Sequence, residues 1–216
     1  MTETQREPAA IAETRLLHKM HRAATTLLAD AAHRRDSPPE ALAQLRDFLV
    51  AALRHHHESE DDVLWPQLAA ADPVTGGRLA ELGTEHDELD AALDALDAAP
   101  VCEDEDRMRL TAAARRVRDL VHEHLEHEES LLFPALAAHM PDQAWADFSR
   151  TVISSAPPVA PHLNIGFFEL VGTPGELAAV TANLPQAALD GLPAMREQAR
   201  VTLDSLRATD ENGVIA

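Results

Sequence analysis

Apolar residues recur at steps of three and four along most of this chain, the spacing that lines one face of an α-helix. The pattern predicts a first helix from about Ala9 to Arg35. A second opens on a strong start signal: Ser37 as N-cap, Pro38 as the first helical residue and Glu40 at the capping-box position. Its inward stripe runs Leu42, Leu45, Leu49, Ala52, His56, Glu60 and Val63. The segment Asp72-Pro73-Val-Thr-Gly-Gly77 reads as a break, after which His86, Leu89, Leu93 and Leu96 share one face of a third helix. A fourth follows Pro100 and the acidic run Glu103 to Asp106, which suits a helix N-terminus, with the stripe Leu110, Ala114, Val117, Val121, His124, Glu128, Leu131 and Ala135. Such stripes are bundle seams. The expected fold is therefore all-α, an up-down four-helix bundle over residues 9–140 with a C-terminal helical extension over 141–216.

In that extension Pro141 to Ser155 predicts a short helix and Ala156-Pro-Pro-Val-Ala-Pro161 a rigid linker. Asn164 to Val171 is apolar, Thr173-Pro-Gly-Glu176 is another helix start, and helical segments are expected to reach Arg207 before a frayed end from Asp210. The extension is expected to pack against the bundle.

Four histidines and two glutamates interrupt the apolar stripes, and they obey one repeat. His56 to Pro66 and His124 to Pro134 share a pattern 68 residues apart, with His and Glu at i and i+4, then Leu, an aromatic and Pro. His18 and His86 have the same offset. A His and a Glu four apart face the same way on a helix. Positions equidistant from a turn lie at one height in an up-down bundle, and His18 and His56 both sit about 27 Å from the Ser-Pro-Pro turn at 1.5 Å per residue. All four helices thus deliver these residues to one level. Unpaired imidazoles and carboxylates in a dry core are costly, and a metal removes that cost. The duplication suits two ions, and mixed imidazole and carboxylate ligation suits iron, manganese or zinc. Open positions on a histidine-rich iron pair invite O2, NO or peroxide.

His57 precedes Glu60 by three residues and Asp90 follows His86 by four, so either is an eligible extra ligand. His21 reads as packing beside the site, because its repeat partner is Leu89. His55 is expected to be solvated, and His33, His122, His127, His139 and His162 lie off the repeat. Trp65-Pro66 and Phe133-Pro134 are expected to close the bundle below the site and then kink or end their helices.

Composition removes other chemistries. Formal net charge is -19, with 18 Lys+Arg against 37 Asp+Glu, so nucleic acid and anionic lipid are repelled. No run of about 18 apolar residues predicts a membrane span, and Met1 to Pro8 lacks the apolar core of a signal peptide. One cysteine, Cys102, excludes a disulfide framework and an all-protein iron–sulfur site, and a cytoplasmic setting is expected. There is no Tyr to serve as ligand or radical, no Glu-x-x-His, no His-Glu-x-x-His and no Gly-rich phosphate loop.

The order His … His-x-x-x-Glu … His … His-x-x-x-Glu resembles the hemerythrin-like, HHE cation-binding family over roughly residues 9 to 140, most closely at His124 to Pro134. The resemblance implies a four-helix bundle with a non-haem diiron centre, and it implies His18, His56, Glu60, His86, His124 and Glu128 as iron ligands. Oxygen-carrying hemerythrins have a second His where this third helix has Asp90, which argues against plain O2 carriage. The paired-cysteine segment of the family's iron–sulfur repair members is absent. The expected function is a diiron protein that binds or senses O2, NO or peroxide, or buffers iron. The alternatives are a diiron oxidase or peroxidase-like enzyme, and a structural zinc or mixed-metal bundle with an interaction role for residues 156–216.

Overall fold

Each of the four stripes forms a long helix. A computed structural model describes residues 7–101, 104–182, 184 and 186–207; Met1 to Arg6, Cys102 and the segment from Asp210 lie outside the described residues. The first half comprises α1 (Ala9–His33), α2 (Pro39–Ser59), α3 (Trp65–Ala71), α4 (Pro73–Ala80), α5 (Gly83–Asp97) and α6 (Asp104–His139). Helices α1, α2, α5 and α6 pack around one another in that cyclic order, with α1 lying along α6. No strand occurs among the described residues, and none of their helices is long and apolar enough to cross a membrane.

Two apolar clusters fill the bundle. The larger holds Met20, Leu28, Phe48, Leu53, Leu93 and Val121, and the smaller holds Ile11, Trp65, Leu68, Leu79, Leu132 and Leu136. The chain passes from smaller to larger along α1, back along α2 and α3, forward along α5 and back along α6. The histidines and glutamates of the repeat fall between the two clusters, except that on α6 His124 lies at the edge of the larger one, beside Leu125. The site is thus a polar layer with an apolar layer on either side.

Several local expectations are corrected. Helix α2 starts at Pro39, not Pro38, and Ser37 makes no capping bond although its hydroxyl is buried. Neither Pro38 nor Pro39 has an N–H to cap, and the residue before a proline avoids the helical region, so Pro38 is extended at ψ 128°. The expected break at Asp72–Gly77 is helix α4, capped by the Asp72 carboxylate, which accepts from the Val74 N–H. Gly76 serves close packing here: a Cβ on it would sit 2.3 Å from the Cβ of Ala69 in α3. Neither Pro66 nor Pro134 ends its helix. Before Pro66 the helix widens into a π-turn, Glu60–Leu64, in which the Trp65 N–H donates to the Glu60 carbonyl and leaves room for the pyrrolidine ring. In α6 the seam steps to Leu132, which is fully buried, and leaves Leu131 half-buried.

The second half forms α7 (Asp142–Ser155), α8 (His162–Val171), α9 (Pro174–Ala182) and α10 (Gln186–Leu206). All four contact α1, and α10 packs on α8 and reaches α2. Gly166 allows the α8–α10 approach, since a Cβ there would lie 2.7 Å from that of Ala199. Thr173 and Glu176 form a reciprocal capping box at the start of α9. Glu176 also accepts from Lys19 of α1 at 3.0 Å, and Trp145 donates its indole N–H to Glu13 at 2.9 Å.

Candidate metal centre

Helix periodicity aims His18 from α1, His56 and Glu60 from α2 and its π-turn, His86 from α5, and His124 and Glu128 from α6 into the polar layer. All six are at most 6% exposed. They gather into two groups, within each of which one atom per residue lies within 4.8 Å of every other. One group is His18, His56, Glu60 and Glu128; the other is His57, His86 and His124.

The two glutamates lie between the groups. Glu60 Oε1 is 3.5 Å from His56 Nδ1, and its Oε2 is 3.7 Å from His86 Nε2. Glu128 Oε2 is 3.5 Å from His18 Nε2 and 3.6 Å from His124 Nε2. These distances exceed a hydrogen bond. The Nε2 atoms of His18, His56, His57, His86 and His124 are buried without partners, as are Glu60 Oε2 and both Glu128 oxygens. Such a convergence of orphaned donors fits a cation, because buried polar groups are otherwise satisfied.

The outer faces of the rings are, by contrast, well held. His18 Nδ1 donates to Glu129 (3.0 Å), His86 Nδ1 to Asp61 (3.0 Å), His57 Nδ1 to Asp90 (3.1 Å) and His124 Nδ1 to Glu85 (2.8 Å). A carboxylate on Nδ1 fixes the tautomer and leaves the Nε2 lone pair facing inward. Arg22 grips Glu129 from the other side at 2.6 Å. Burial raises the Glu129 pKa, but the bonds from His18 and Arg22 overcome it and hold the group at about 2.

Burial also dominates the electrostatics within the layer. It pushes His56 well below the ordinary imidazole value, reinforced by His21 and His18, and it lowers His57 and His124 against the pull of Asp90 and Glu128. It drives Glu60 well above the ordinary carboxylate value, with the neighbouring Glu128 charge adding to the shift. His56, His57 and His124 are therefore held neutral, as ligation requires. The two adjacent carboxylates repel each other until a positive charge comes between them.

The structure assigns positions to residues the repeat left open. His57 stands in the second group, stacked on His86 at 4.4 Å between ring centroids. Asp90 lies one step further out, on His57 Nδ1. His21 lies beside His56, with ring centroids 4.9 Å apart, but joins neither group; burial holds it neutral. His55 is half-buried, bonded to Ser155, instead of solvated. His162 is buried as well, at the start of α8. Trp65 stacks on His86 and Phe133 on His18, so each aromatic walls the histidine of a neighbouring helix.

Asp90 was read in the sequence as an eligible ligand, but the outer carboxylates Asp61, Glu85 and Glu129 were missed, although a signal was present for two of them. Asp61 and Glu129 follow Glu60 and Glu128 directly and share their offset. They hold His86 and His18, which form a repeat pair themselves.

Comparison with known proteins agrees with this geometry. The family model described as "Hemerythrin HHE cation binding domain" matches residues 11–136, more than half of the chain. No curated protein and no solved structure matches.

Proposed function

Because the chain belongs to the hemerythrin HHE cation-binding family, its bundle is a cation-binding module, and we propose that it holds two iron ions and binds or senses O2, NO or peroxide. In this reading the bundle is up-down, residues 9–140 form the binding unit, and 141–216 are its appendage. His18 and His56 would hold one ion and His57, His86 and His124 the other, with Glu60 and Glu128 within reach of both. The observation that carries the reading is the position of the two glutamates, each with oxygens facing histidines of both groups. Iron in this donor set supplies redox-active positions that a small ligand can occupy. Zinc and manganese accept the same donors and are the lesser alternatives.

The chain's own residues prepare that site. Asp61, Glu85, Asp90 and Glu129 orient the imidazoles, and the flanking apolar layers keep bulk water away. A single cysteine and the acidic surface favour a cytoplasmic setting.

A second reading, turnover of an oxidisable substrate, is favoured by one observation: a cavity of about 360 Å³ reaches His56 and Glu60 from outside the bundle. Anaerobic iron-loaded protein exposed in turn to O2, NO and peroxide separates the readings by absorption. A charge-transfer band that reverses on removal of the ligand supports binding, and repeated peroxide consumption lost in Glu60→Ala supports the enzyme. No spectral change with any of the three, at two irons per chain, overturns both.

The outer carboxylates give a graded test. Glu129→Gln and Asp61→Asn are expected to weaken iron affinity about 10–100-fold. Asp90→Asn is expected to do the same through His57. Iron affinity unchanged in both Asp90→Asn and His57→Leu would remove His57 from the ligand set.

A further inference from the structure

An apolar cavity lies outside the bundle seam. It runs between α1 and α2 on one side and the C-terminal helices on the other. Leu17, Phe48 and Ala52 form the bundle wall, and Phe148, Phe168 and Leu192 face them from α7, α8 and α10. At about 360 Å³ it falls within the size range of small-molecule sites. Its outer rim carries the exposed Glu169–Arg196 ion pair at 2.5 Å, and its inner end is His21, His56 and Glu60, all buried.

His21 decides what the cavity suits. It is 1% exposed and neither ring nitrogen has a partner. A neutral imidazole presents one N–H donor and one acceptor, and leaving both unmet in an apolar surround is costly. A hydroxyl group can meet either. The walls also disfavour anions: a carboxylate entering them loses its hydration, and among the described residues the one cationic side chain lining the cavity, Arg196, is engaged by Glu169 at the rim.

We propose that this cavity is a binding site for a small, uncharged apolar alcohol or phenol, its hydroxyl on His21 and its body between the bundle and the C-terminal helices. The site stands on the cavity and His21 alone. Only its nearness to a reactive centre rests on the metal reading. The C-terminal extension thereby supplies the outer wall of an organic-ligand site.

The test uses the full chain, metal-free and iron-loaded, titrated with 1-octanol and with octanoate, and read by calorimetry and by the fluorescence of Trp145, which lines the cavity. One octanol per chain is expected in both forms, with octanoate about tenfold weaker or more. His21→Phe is expected to weaken octanol about tenfold, the worth of one hydrogen bond, and to leave metal content per chain unchanged. Ala188→Trp, which fills the cavity from α10, is expected to abolish octanol binding and also to retain metal. Octanol that fails to bind in the millimolar range, or binds the Ala188→Trp protein equally well, overturns the proposal. Loss of metal in His21→Phe overturns it too, because His21 is then a ligand and not an anchor. Failure of iron loading in the unsubstituted protein, with octanol still bound, refutes the metal reading alone.

Discussion

Glu128→Ala is expected to leave the purified chain with less than one metal ion where the unsubstituted protein loads two. Glu128 Oε2 lies at 3.5 Å from His18 Nε2 and 3.6 Å from His124 Nε2, so one oxygen serves both groups. Its removal strips a ligand from both groups and one negative charge from the site at once. The loss of affinity should exceed the roughly 100-fold that an outer partner costs. Removing the charge alone has the opposite sign in metal-free protein. There Glu128 is a buried carboxylate beside Glu60 with neither oxygen partnered. Glu128→Gln keeps the shape and removes the charge, and it is expected to stabilise the metal-free chain by about 1–3 kcal/mol. Thermal melts of both proteins, with and without iron, read the crossover. Full metal loading by Glu128→Ala would mean that the carboxylate is structural.

Iron is expected to raise the melting temperature by about 11–22 °C at a free concentration one hundred times Kd. That follows from about 2.7 kcal/mol of linkage for each of two ions and about 2–4 °C per kcal/mol for a chain of this size. The gain should depend on pH in a defined direction. Burial holds His56, His57 and His124 below the ordinary 6.5, so the unfolded chain takes up more protons than the native one below that pH. Their contribution is complete above about 6.5 and is lost as pH falls. Glu60 is shifted upward, so its contribution is complete below about 4.5 and is lost as pH rises toward its native value. A cation takes the place of the Glu60 proton and removes the loss on the alkaline side. On the acid side, protons compete with the cation for every imidazole. The iron-dependent gain should therefore shrink below about pH 6.5 and vanish near the ordinary carboxylate value. Metal retained undiminished at pH 4 would contradict histidine ligation.

Much of this architecture was legible because periodicity and repetition are chain-level signals. The stripes through Leu45, Leu93 and Val117 placed the bundle, and counting from the turns set His18, His56, His86 and His124 at one height. What escaped was local or broke the symmetry. His57 has Leu125 as its repeat partner, so the twofold pattern hides its place in the second group. Gly76 and Gly77 looked like a turn, yet Gly76 is there because Ala69 approaches so closely. Pro66 and Pro134 read as kinks or helix ends; Pro134 lies inside α6, and Pro66 follows the π-turn in the first turn of α3. The cavity behind His56 depends on contacts between distant segments, which no spacing along one helix reports.

The most direct measurement is iron per chain after anaerobic loading with Fe(II) and removal of unbound metal. Two ions per chain are expected, falling below one in Glu128→Ala. One ion or fewer in the unsubstituted protein would contradict the shared-carboxylate site on which the account rests.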